Sequence, residues 1–99
     1  MGFFSKIFGS KKSGEKPKGN PIGEVTHFYS DLGVAIVKFN QAVGAGTNLH
    51  FYGATTDFKD TASSMQYDHK PIQEAKSGQE VGIKVKSKVR EGDKVYEAN

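Results

Sequence analysis

The chain has no cysteine. That excludes a disulfide, a thiolate nucleophile and a thiolate metal site, and it gives no pointer to an oxidising compartment. It also lacks a long apolar run. The first residues carry too few consecutive apolar side chains for a membrane span or for the core of a secretory signal. Myristoylation fails on its motif, because Lys6 stands where Ser is needed. No stretch shows the sustained period of a long helix. These absences predict a cytoplasmic chain, and its 99 residues allow one ordinary domain.

The net charge of +3 is unevenly placed. Residues 1–20 hold Lys6, Lys11, Lys12, Lys16 and Lys18 against Glu15, a net of +4; the nine basic and ten acidic side chains that remain give −1. The basic character therefore belongs to an N-terminal tail, and residues 21–99 form the expected domain. A near-neutral domain is not the footprint of an autonomous nucleic-acid binder.

The tail begins MGFFSKIFGSKK. Phe3, Phe4, Ile7 and Phe8 would share one side of a short helix, with Lys11 and Lys12 opening a Lys/Ser/Gly/Pro run that reads as a linker. Each large apolar side chain gains roughly 1.5–3 kcal/mol on full burial. A helix of some eight residues is marginal alone, so any attachment would be weak and reversible. Three readings stand: a tail that is disordered or folds back, weak peripheral contact with a membrane, and docking to a partner.

From Pro21 the signals are those of strands. Glu24–Tyr29 and Val34–Phe39 are rich in β-branched and aromatic residues and flank Ser-Asp-Leu-Gly, which predicts a hairpin. In Asn48–Gly53, Leu49 and Phe51 face one way, His50 and Tyr52 the other. A polar strand-like segment is expected from Asp57 to Tyr67. Residues 72–76 would extend or make one helical turn. Val81, Ile83 and Val85 alternate along a well-patterned strand, and a final short strand follows the turn at Arg90–Asp93. Many short strands between turns predict a small all-β domain, a closed β-barrel of six to seven strands, since closure removes exposed edges.

The order of several segments carries a resemblance: Gly23-Glu24-Val25, Gly33 to Lys38, Phe51-Tyr52-Gly53, Thr56-Asp57-Phe58, Ser64-Met65-Gln66, Pro71 to Ala75, Ser77 to Val85, and Arg90 to Tyr96. Together they resemble the second, β-barrel domain of translational GTPases of the elongation factor Tu type, and especially the small translation elongation factor-like proteins. A related domain closes the C-terminus of U32-family peptidase-like proteins. The resemblance runs from Ile22 to Ala98. It departs at Gly46-Thr47, where many relatives have Gly-Asp, and no GTPase domain precedes the barrel, so neither GTP binding nor GTPase activity is expected.

The densest polar chemistry lies in SMQYDHKP, Ser64–Pro71. Ser64, Asp68 and His69 lack the strained strand-turn-helix setting of a nucleophile, and adjacency of Asp68 and His69 is not a triad. His27, His50 and His69 show no ligand spacing for a metal. Gly44-Ala45-Gly46 is an incomplete phosphate-loop pattern, because position 49 is Leu. No catalysis, metal or cofactor is expected. The resemblance implies a binding role at this place: Gln66 beside a terminal adenosine of tRNA and Glu80 at the rim. Tyr67 and His69 offer stacking faces and Lys70 a phosphate contact. A solvated loop and a protein-binding surface are the competing readings. The expected partners are accordingly tRNA or the ribosome, or else a protein.

Overall fold

The computed structural model describes Pro17 and residues 19–98. Met1–Lys16, and with them the whole apolar hook and Lys11 and Lys12, lie outside the described residues. The strands are β1 (Gly23–Tyr29), β2 (Val34–Phe39), β3 (Val43–Gly44), β4 (Asn48–Tyr52), β5 (Asp57–Thr61), β6 (Gln66–Tyr67), β7 (Lys70–Pro71), β8 (Glu74–Ala75), β9 (Glu80–Lys84) and β10 (Lys94–Glu97). There is no helix among the described residues, and so none long and apolar enough to cross a membrane.

Eight strands make one antiparallel sheet in the order β5-β4-β10-β1-β2-β9-β6-β7, while β3 and β8 pair separately. The all-β expectation holds. The ladder differs from the closed barrel of six to seven strands, since it begins at β5 and stops at β7 with no pairing between them among the described residues. The region between these ends is spanned by the β3–β8 pair and by single bonds: Gly46 N–H to Ala62 O, Ala45 N–H to Gln73 O and Ile72 N–H to Met65 O.

Alternation fills one face of this sheet. Val25, Val37, Phe39, Leu49, Phe51, Val81, Ile83 and Val95 are all buried within a single core, and the Phe51 and Phe58 rings stack at 5.1 Å. Burial of each large side chain contributes roughly 1.5–3 kcal/mol. With one main sheet and no helical layer among the described residues, the sheet itself must curl around that core. The predicted hairpin is β1–β2, where Leu32 N–H and Gly33 N–H donate to Tyr29 O and Gly33 takes a φ of 67° that a side chain would oppose.

One other expectation is revised, and one left open is decided. The single segment from Asp57 to Tyr67 is broken: β5 ends at Thr61 and β6 starts at Gln66, because Ala62 and Met65 turn inward into the core. Residues 72–76 resolve as extended, with β8 at Glu74–Ala75.

One turn is anchored by buried chemistry. Asp93, 6% exposed, accepts the Thr56 hydroxyl and the Arg90 amide on Oδ2. Gly53 lies against it so closely that a Cβ there would sit 2.0 Å from Asp93 Oδ1.

Candidate functional site

SMQYDHKP does not end a long strand; it makes a hairpin of its own. Gln66 pairs with Pro71 and Tyr67 with Lys70, leaving Asp68 and His69 as the two-residue connection. Both carry positive φ, 54° and 64°. A two-residue hairpin with both central residues left-handed is the type I′ arrangement, which favours Asn-Gly because its twist matches the strands. Asp and His tolerate that region better than most residues, yet at a cost that glycine avoids. The turn holds both side chains exposed, and no hydrogen bond joins Ser64, Asp68 and His69 among the described residues.

This hairpin attaches to the main sheet through Gln66, which lies opposite Gly82 on β9. Val81 and Ile83 point into the core, so Gly82 and Gln66 belong to the outer face. On the same face β9 places Lys84 opposite Val34, Gly82 opposite Ile36 and Glu80 opposite Lys38. A bulge at Thr26 then sets His27 against Ile36 and Tyr29 against Val34. The Thr26 hydroxyl lies 3.0 Å from Glu80 Oε1, spanning β2 and engaging that carboxylate.

The outer face therefore has an apolar centre and a polar rim. Val34 and Ile36 are only partly covered, Tyr29 is 48% exposed and Leu32, at the hairpin tip, 61%. Val34 Cγ1 and Ile36 Cδ1 lean over Gly82, 3.3 and 3.6 Å from where a Cβ would sit, and close the apolar centre. Lys38, Lys84, Glu80 and Gln66 surround it with mixed charge.

The sequence-predicted residues divide accordingly. Gln66 and Glu80 border the apolar centre on the outer face. Tyr67, 42% exposed, has the opposite alternation, while His69 and Lys70 extend from the small hairpin. The three histidines stay apart in role: His27 Nδ1 is 3.1 Å from Glu91 Oε2, His50 Nε2 is 2.6 Å from Asp57 Oδ1, and His69 sits in the hairpin turn. Among the described residues no three His or carboxylate side chains are grouped to hold a metal ion.

Sequence reasoning missed Tyr29, Leu32, Val34 and Ile36 as a surface. The signal was available in VAIVKF, apolar on both alternations except at Lys38. A strand apolar on both faces expects cover on both, and no described element lies over this one.

No protein-family model matches the chain. It is 38% identical over 76 residues to an uncharacterized protease of Methanocaldococcus jannaschii, a match covering 76% of this chain and 19% of that protein. The chain thus spans about a fifth of the length of the curated relative it matches. Among solved structures it is similar to the C-terminal domain of a candidate U32 peptidase from Geobacillus thermoleovorans. The TM-score is 0.76 at 19% identity, covering 85% of this chain and 100% of that one. The selenomethionine variant of the same domain gives 0.74 at 18%, covering 79% and 99%. At that identity the likeness is one of fold: the described domain has the fold of a U32 peptidase C-terminal domain.

Proposed function

We propose that the folded part is a non-catalytic docking domain that packs, through the outer face of β1, β2 and β9, against a larger catalytic body of the U32 peptidase kind. The observation that carries this reading is the apolar centre of exposed Tyr29 and Leu32 with half-buried Val34 and Ile36 beside Gly82. An apolar centre within a mixed-charge rim is the anatomy of a protein interface rather than of a phosphate-binding groove. Support for the partner comes from the relatives: a matching segment occupies a fifth of a protein named as a protease, and the structural neighbours are C-terminal domains of a longer protein.

The test is co-purification of the chain with a U32-type protein from the same cells. Leu32→Asp and Ile36→Lys each remove the complex while the domain keeps its fold and melting temperature. Retention of the complex by both variants moves the interface elsewhere. Deletion of residues 1–20 leaves this contact in place; loss on deletion assigns docking to Phe3, Phe4, Ile7 and Phe8 instead.

A second reading follows from the β6–β7 hairpin. In it the sheet is a translation-factor barrel closed through β3 and β8, and the rim grips an RNA end with Gln66, Tyr67, His69, Lys70 and Glu80. The left-handed Asp68-His69 turn favours it, since backbone strain held in the open clusters at binding sites. Its test is salt-sensitive co-sedimentation with tRNA or ribosomes, weakened by Gln66→Ala and Lys70→Ala.

A further inference from the structure

The surface on the other side of β1 is built from different chemistry. An open groove of about 630 Å3 lies between the end of β4, β10 and the Arg90–Asp93 turn, lined by Pro21, Tyr52, Arg90, Glu91, Lys94 and Tyr96 among others. The register places Lys94 opposite Tyr52 and Tyr96 opposite His50, while Val95 and Phe51 turn into the core. Both tyrosines thus belong to the outer face, with Tyr96 nearly buried as part of the groove wall and Tyr52 partly exposed.

Glu91 and Asp93 line the groove as well, and each nearby carboxylate is already bonded within the domain. Asp93 accepts the Thr56 hydroxyl and the Arg90 amide; Glu91 pairs with His27 at 3.1 Å; Glu24 pairs with Lys94 at 3.2 Å. The Arg90 guanidinium, in contrast, has no acceptor among the described residues, although its backbone is fixed by Asp93. A planar, permanently charged fork beside phenol rings and a proline combines a bidentate anion contact with flat apolar faces.

A ligand that uses both features carries an aromatic ring system and a phosphate on one small frame. We propose that this groove binds a nucleoside phosphate, its base against Tyr52 and Pro21 and its phosphate on Arg90. This site is separate from the apolar docking face and from the Gln66 hairpin. The same base-and-phosphate chemistry is presented by a free nucleotide and by the end of a single RNA strand.

The experiment is an amide NMR titration of the full 15N-labelled chain with adenosine 5′-monophosphate, adenosine, inorganic phosphate and a short oligoriboadenylate. Adenosine 5′-monophosphate is expected to give saturable shifts at Gly53, Ala54 and Gly92, with adenosine and phosphate each weaker by about 10-fold or more. Arg90→Gln, which breaks no side-chain hydrogen bond among the described residues, is expected to lower the affinity by about 10-fold with the remaining spectrum intact. Tyr52→Leu is expected to abolish the preference for the nucleotide over phosphate. Tighter binding of the oligomer than of the monophosphate supports the site with RNA as the source, and equal or weaker binding supports it with a free nucleotide. Absence of saturable shifts, unchanged affinity in Arg90→Gln, or phosphate binding as well as the nucleotide overturns the proposal.

Discussion

Two turns of this domain carry similar polar residues and use them oppositely. Arg90–Asp93 folds its carboxylate inward, where Asp93 ties the turn to Thr56 and presses on Gly53. Asp68-His69 turns both side chains out, with two left-handed residues and no bond linking them to Ser64. In the first, polar chemistry is consumed by the fold. In the second, the fold bears a local cost to hold polar chemistry in water. Residue type alone does not separate structure from function; what each side chain is already bonded to does.

The comparison breaks most sharply at Asp93. Asp93→Ala leaves the buried Thr56 hydroxyl and the Arg90 amide without their acceptor, and is expected to destabilise the domain by about 2–4 kcal/mol in a denaturant titration. Next comes Gly53→Ala. Its methyl group would displace a carboxylate that two donors hold in place, with a loss of about 2 kcal/mol expected by the same measurement. The exposed turn should respond with the opposite sign. For His69→Gly, relief of the left-handed strain, about 1–2 kcal/mol, exceeds the added freedom of the unfolded chain, about 0.5–1 kcal/mol. A small rise in stability is therefore expected. Should that variant also lose co-sedimentation with RNA, the strain serves binding at the hairpin; unchanged or absent co-sedimentation leaves it a geometric feature only. Smallest in stability is Leu32→Asp, within about 0.5 kcal/mol of the parent because the side chain is already in water.

Much of this architecture is legible in the residue order. Period-two alternation places Leu49 and Phe51 inside and His50 and Tyr52 outside, and Ser-Asp-Leu-Gly marks the β1–β2 turn. The hairpin within SMQYDHKP is not legible, because Asp-His lacks the glycine that signals a type I′ turn. Nor is the break between β5 and β6, which depends on Ala62 and Met65 filling the core rather than on any local breaker. The binding residues named from the sequence form two groups, Gln66 and Glu80 by the apolar centre and Tyr67, His69 and Lys70 on the hairpin. The apolar centre is not legible as a surface, because a strand apolar on both alternations reads as buried on both faces.

The central claim is that the outer face of β1, β2 and β9 meets protein. A photoreactive amino acid in place of Leu32, activated in cells, tests it directly. The account predicts one dominant protein adduct, carried by a polypeptide of the U32 peptidase kind and absent when Ile36→Lys is added. An adduct with RNA, or none above that formed from an equivalent probe at Lys59, would contradict it.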